Sequence, residues 1–504
     1  MPSDSPKPSD TESHEVSDFV TDDHKPAKTA KEDKLPLHEK SLYGFGNQAP
    51  GVTTHLIDNQ IQQVLVYGLQ MSPVWKGIII MVFRLWDAFS DPLMGWISDS
   101  TRTKWGRRRP YMLLGTILMA GTLPFVWQFN EDWSMGYIIA WMIIFGMVIS
   151  TFSTVYNIPF QTLKMEMTPD YNERTSLNMW MTLIGVPLGI LFGWVWKLSQ
   201  DPFFTGQMPG EDPNTLLGIR SLAMWGAGLV LIFGLIPVLV SKERYYTKAK
   251  EQVREPFIKS VKETFQNKPF LMMLGIILAG NIDGLVLGMG GYISLYYVFD
   301  GDKTFAATFV GTTTTISLIF GFLAAPIAAW MARRWGKHRA LMFNVGVHAL
   351  VAFSILIFYN PNYPWLAAIP NILGGIMTGM FWVIIPAMKP DIVDEDELRT
   401  GLRREGSFES VFSWFLRFTM TIFGGLSGIF VVMVGFNIDL GTEQADGVFT
   451  KMKLLMASVP LLLGALQFYL VWKWPLTTER MAEIRIKLEK RRGKIDMQKK
   501  KKKA

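Results

Sequence analysis

An all-α membrane protein of twelve transmembrane helices in two pseudo-symmetric six-helix bundles is the fold class this chain predicts, and three observations carry the prediction. Of its 504 residues 49% are hydrophobic and 13% aromatic, with a mean hydropathy of +0.20, a polytopic membrane composition. Apolar runs such as "YMLLGTILMAGTLPFVW", "MGYIIAWMIIFGMVI", "LVLIFGLIPVLV" and "LLMASVPLLLGALQFYLVW" recur from Ile78 onward. Each is about long enough to cross a hydrocarbon core of roughly 30 Å as a helix, and none alternates as barrel strands do. Finally, a basic turn after the second run returns after the eighth, at about half the chain length.

The twelve expected spans lie at about 43–69, 77–99, 110–128, 135–160, 179–198, 218–241, 269–298, 304–331, 340–359, 364–389, 407–436 and 452–475. Lys and Arg fall in alternate connections: Arg102, Lys104 and Arg107 to Arg109; the stretch "SKERYYTKAKEQVREPFIKSVKETF"; Arg333, Arg334, Lys337 and Arg339; and Arg399, Arg403 and Arg404. The remaining loops are acidic or neutral, so the positive-inside rule puts both termini in the cytoplasm of a multi-pass cell-membrane protein. The expected organisation is a disordered tail at 1–41, six-helix bundles at 42–241 and 269–475, a central cytoplasmic loop at 242–268 and a basic tail at 476–504. A net charge of +7 is accounted for by the tails and inside loops, and the C-terminal basic run suits anionic lipid better than nucleic acid. The chain has no cysteine, which excludes disulfides and thiol chemistry.

The segments "PLMGWISDSTRTKWGRRRPYML" and "PIAAWMARRWGKHRALMF" share a Pro, a Trp four residues on, and a basic turn containing Trp-Gly. A second echo pairs "NIPFQTLKMEMTPDYNERTSL" with "IIPAMKPDIVDEDELRTGL". Gly-x-x-x-Asp with a basic turn resembles the major facilitator superfamily. The version "RLWDAFSDPLMGWISDSTRTKWGRRRP" resembles the glycoside-pentoside-hexuronide:cation symporters, typified by melibiose permease, over the chain from Leu42 to the last span.

Asp87 and Asp91 are one helical turn apart, with Arg84 three residues before and Gly95 four after, so the four share a face. Charges at membrane depth must face a bundle interior or a cavity with a partner. One Arg cannot neutralise two aspartates, and the excess carboxylate calls for a bound cation or a shared proton; the other reading is an ion-paired helix lock. The resemblance implies that Asp87 and Asp91 form the site of the coupling ion, Na+ or H+, and that no other cofactor is needed. Arg84, Gly95, Asp99, Arg102, Gly106 and Arg107 are expected to work as gating elements, those from Asp99 on forming a charged turn that stabilises one gate conformation.

For the substrate, the resemblance implies an acid on the first span and another on the fourth. Those positions here are Gly51 and Asn157, so both acids are replaced. What remains of the family's site is Thr154, Asn157, Trp382, Ser413 and Arg417, the last where the family has Lys. The first span supplies other polar groups: Gly51, His55, Asp58 and Gln62 fall at helical spacing in a segment too polar to face lipid, and Asn281 and Asp283 do something comparable on the seventh span. Amides, hydroxyls and carboxylates around Trp faces suit a polyol. His55 could relay a proton, touch substrate or simply fill the interior, and a free Arg417 would admit a carboxylated sugar.

The resulting expectation is a monomeric secondary transporter coupling Na+ or H+ to a sugar or glycoside. Rivals are a same-fold transporter of a lipid or organic anion, an uncoupled facilitator, and a non-transporting receptor or scaffold. No phosphate loop, His-Glu metalloprotease motif or nucleophile elbow points to an enzyme.

Overall fold

The computed structural model describes residues 34–103, 105–168, 171–208, 211, 213–241, 243, 263–401 and 404–491. The tail expected at 1–33, the loop at 244–262 and the basic run at 492–504 lie outside these residues. Among those described, helices dominate and no strand forms. Ten helices are long and apolar enough to cross a membrane, from Arg109–Trp127 to Val448–Trp472.

The first two expected spans are also helical, and it is their polarity that sets them apart. Pro73–Ser100, 28 residues long, is the second span, interrupted by Lys76, Arg84, Asp87, Asp91 and Asp99. It starts four residues earlier than expected, at a Pro whose missing N–H suits a first helical turn. The first span runs as Leu37–Phe45, Gln48–Leu56 and a π-helical Gln62–Gly68. The continuous helix expected there is broken at Ile57 to Ile61. Asn59 Nδ2 bonds His55 Nδ1 at 2.9 Å and Gln60 Nε2 donates to the His55 carbonyl at 3.3 Å, so side chains compete locally for the helix's own groups.

The seventh span repeats this design. Lys268–Ile282 ends at Asp283, short turns Gly284–Leu287 and Gly290–Tyr292 follow, and a π-helical Ile293–Val298 closes it. Here the weakness comes from Gly284, Gly288, Gly290 and Gly291.

One apolar core gathers residues between Leu35 and Val238, a second residues between Phe270 and Leu488. A third joins Val66, Tyr67 and Trp196 to residues from Leu285 to Met456, and so ties the two halves at the end remote from the termini. Tyr67 meets Tyr292 and Tyr296 edge-on there, with ring centroids 5.6 and 6.0 Å apart. Small residues let the backbones close at the same end: Gly77 lies on the Gly425 carbonyl, Gly428 on Pro73, and Gly193 against Thr314.

The repeated basic turns have matching backbones, with Gly106 at φ +99° and Gly336 at φ +89°, where a Cβ would be strained. Beside Gly106 the Glu243 carboxylate accepts the N–H groups of Arg107 at 3.0 Å and Arg108 at 2.9 Å, filling donors left open at a helix start.

Two expected tails need correction. Residues 37–41, placed in a disordered tail, belong to the helix Leu37–Phe45, where Lys40 pairs with Glu173 at 2.7 Å. Within the expected C-terminal tail, Thr478–Arg491 is an amphipathic helix whose Met481, Ile484 and Leu488 are buried on the second core, with Arg485 3.5 Å from Asp391 of the tenth span.

Candidate substrate and cation site

A cavity of about 1020 Å³ lies between the halves, walled by the first, second, fourth, fifth, eighth and eleventh spans. Its charged wall is the second span. Lys76, Ile80, Phe83, Arg84, Asp87 and Asp91 recur at helical spacing along one side and all line it.

Arg84 bridges two acids. One terminal nitrogen lies 3.1 Å from Asp87 Oδ2 and the other holds Asp58, which sits at the break in the first span. Arg84, expected from the sequence among the gating residues, thus stands in the cavity wall and joins the first span to the second. Asp91 is paired with Arg417 from the other half of the molecule. That pairing uses one nitrogen of a guanidinium whose side chain is 61% exposed.

The fourth span answers the two aspartates with two hydroxyls at the same spacing. Ser150 donates to Asp87 Oδ1, and Thr154 donates to Asp91 Oδ1 at 2.8 Å. Because each hydroxyl spends its proton on a carboxylate, its lone pairs are left for a hard cation. Three carboxylates, Asp58, Asp87 and Asp91, face two paired guanidiniums, and the third basic group of this wall, Lys76, bonds the Gln62 amide instead of a carboxylate, so the ion-paired cluster itself keeps one negative charge. No group of three or more His, Cys, Asp or Glu side chains among the described residues forms a metal cage.

The remaining expected substrate residues divide. His55, Asp58, Thr154, Asn157 and Arg417 line this cavity. His55 also stacks on Phe192, centroids 4.7 Å apart, and Gln161 reaches Asn157 at 3.5 Å. Trp382 instead lines a second cavity of about 900 Å³, mostly within the C-terminal half, which shares Gln62, Trp196 and Thr314 with the first. Asn281 and Ser413 line neither. Asn281 bonds Thr419 at 2.6 Å and ties the seventh span to the eleventh. Ser413 lies one turn too early on a helix whose cavity face begins at Arg417 and continues through Met420 and Thr421.

The gating set is also redrawn. Asp99 binds Arg108, which is 1% exposed, while Arg107 stands 4.0 Å away and Arg102 is exposed with no ion-pair partner among the described residues. A Cβ on Gly95 would meet only Ile158 at 3.9 Å, so that glycine makes no close helix approach. Sequence reasoning missed Lys76, Ser150, Arg108 and Glu243. Lys76 was legible as a residue two turns before Arg84, had the second span been started at Pro73.

The MFS/sugar transport protein family matches residues 42–478, nearly all of the described chain. The chain belongs to that family. It is 22% identical to the sodium-dependent lysophosphatidylcholine symporter 1-A of Danio rerio, across 90% of this chain and 88% of the relative. It is 25% identical to the putative glycoside/cation symporter YagG of Escherichia coli (strain K12), across 91% and 96%. The crystal structure of the nucleoside transporter NupG superposes with a TM-score of 0.58 at 18% identity, covering 87% of this chain and 98% of that one. The resemblance to glycoside/cation symporters therefore holds, and the chain is a multi-pass secondary transporter of the major facilitator type, not an enzyme.

Proposed function

We propose that this transporter is a symporter in which Na+ or H+ at Asp87 and Asp91 is coupled to a sugar or glycoside in the adjoining cavity, working as a monomer in a cell membrane with both termini cytoplasmic. The observation that carries the reading is the matched ladder of Asp87 with Ser150 and Asp91 with Thr154, set in the cavity wall and capped by Arg417 from the opposite half. A cation there competes with Arg417 for Asp91, so ion occupancy and the approach of the halves are one equilibrium. Coupling is reciprocal: whatever the cation adds to substrate affinity, substrate adds to cation affinity. Asn157, Gln62, Asn59 and the His55 ring offer a polyol its edge hydrogen bonds.

A second reading, symport of a single-chain lipid, is favoured by one observation. The lining of the second cavity includes Phe309, Phe322, Ile355, Trp382 and Met456, an apolar surface on which an acyl chain can lie beside the polar chamber. The relative named as a lysophosphatidylcholine symporter supports it.

Uptake into proteoliposomes of labelled neutral glycosides, uronic glycosides and lysophosphatidylcholine, with Na+ and pH gradients imposed separately, decides between them. Glycoside accumulation driven by one gradient and lost in Asp87→Asn is the expected result. Background glycoside uptake beside gradient-driven lysolipid uptake replaces the sugar reading with the lipid one.

A further inference from the structure

Each half of the molecule breaks its first helix at an aspartate, half-buried in the N-terminal half and buried in the C-terminal one. In the first span the break holds Asp58, and its partner is Arg84, a guanidinium that stays charged at any physiological pH. In the seventh span it holds Asp283, and its partner is His348 of the ninth span, Nε2 to Oδ2 2.7 Å. The second pair is the deeper one, with Asp283 3% and His348 6% exposed. The geometry is the same and the chemistry is not, because an imidazole can give its proton up.

Three further observations distinguish this pair from a finished structural contact. Asp283 Oδ1 is buried and accepts no hydrogen bond among the described residues, which is costly for a carboxylate meant to stay ionised and fixed. His348 lines the second cavity, so protons and water have a route to it. On its far side the Nδ1 edge of the ring faces the twelfth span at Gly464, one turn from the buried Gln467, whose Nε2 donates to the Ile276 carbonyl at 2.9 Å. A polar amide thus stands on the side of the ring away from Asp283, where an imidazolium is better placed than in a wholly apolar wall.

We infer that Asp283 and His348 form a proton-binding site of the C-terminal half, separate from Asp87 and Asp91, whose occupancy sets whether the break in the seventh span is held against the ninth. With the proton bound, the pair is charge-balanced and Nε2 donates to Asp283. With it gone, a carboxylate faces a neutral ring at membrane depth, and the seventh span gains by moving Asp283 toward water. The groups facing the pair are Asp283 from the seventh span and Gln467 from the twelfth; the eighth, tenth and eleventh spans bring no charged side chain into contact with either among the described residues. The phenols of Tyr67 and Tyr359, which share the cavity, stay neutral where an imidazole titrates.

The chain's six histidines and lack of cysteine make the test direct. Histidine-selective NMR of the full chain in nanodiscs, with the resonance identified by its loss in His348→Gln, reports the ring's protonation. Labelling of Leu287→Cys, normalised to Asn362→Cys in an exposed loop, reports opening of the seventh span. The inference expects the His348 proton affinity to fall at least tenfold in Asp283→Asn, and the normalised labelling to rise at least threefold from pH 5 to pH 8 in the parent and to be flat in His348→Gln. Both signals should persist in Asp87→Asn, which separates them from the symport reading. Should Asp283→Asn fail to fold, Gln467→Leu, which removes the neighbouring amide and leaves the carboxylate, should lower the affinity by a smaller factor. A His348 resonance that keeps one form from pH 4 to pH 9, or one indifferent to both variants, overturns the inference, as does labelling that changes with pH equally in His348→Gln.

Discussion

The two cavities share a border and little else. The first is walled by Asp58, Lys76, Arg84, Asp87 and Asp91 of the N-terminal half; the second has His348 and two phenols as its titratable groups, among Phe, Ile, Met and Trp side chains. The C-terminal half reaches into the charged cavity with a single cation, Arg417. The contrast teaches that the two halves share a scaffold and divide the work at the cavity between them. There the N-terminal half brings the carboxylates and the C-terminal half brings Arg417, while its own buried acid, Asp283, stays with His348 away from them.

The sharpest way to break that comparison is Asp87→Asn. It leaves Arg84 on Asp58 and removes the excess negative charge, so gradient-driven accumulation in proteoliposomes should fall to background while exchange of substrate across the bilayer persists. A variant that still concentrates substrate would put the coupling ion elsewhere. Next comes Arg417→Gln, which strips Asp91 of its partner from the other half. Substrate affinity measured by equilibrium binding should then lose its dependence on the coupling cation, with a change of about tenfold, or ~1.4 kcal/mol.

Asp58→Asn should cost roughly 1–2 kcal/mol of stability, less than the 3–5 expected of a dry pair because the cavity admits water. Thermal unfolding checks it. Gly77→Val tests how the halves close. Its side chain would strike the Gly425 carbonyl, so overpacking of about 1–3 kcal/mol should raise the labelling of cysteines placed near Pro73 and Gly428. The smallest effect belongs to Trp382→Ala, a loss of about 1 kcal/mol in the binding of a substrate with an apolar tail and none for a free sugar. Equal losses for both would merge the two cavities into one site.

Residues close in sequence were legible and residues joined by folding were not. Asp87, Asp91 and Arg84 declare themselves by falling one turn apart in an apolar helix. Ser150 does not, because it stands 63 positions after Asp87 and nothing in between marks the meeting. Ten of the expected spans read directly from hydropathy and the first two only from their place before the charged turn, while the break at Ile57 to Ile61 has no Pro or Gly to announce it and follows from side chains of His55, Asn59 and Gln60 turning back locally. Lys76 was lost to a boundary set four residues late. The helix Thr478–Arg491 was legible in the spacing of Met481, Ile484 and Leu488, yet its basic composition masked that stripe.

The central claim is that Asp87 and Asp91 hold the coupling cation. Thermal unfolding of the purified protein tests it without knowledge of the substrate, since a cation that binds the native state alone raises Tm with its concentration. Midpoints would be taken across Na+ against choline at fixed pH, and across pH 5 to 8 at fixed salt, for the parent and Asp87→Asn. The account predicts a rise with one cation in the parent that Asp87→Asn abolishes; equal rises in both proteins, or none in the parent, would contradict it.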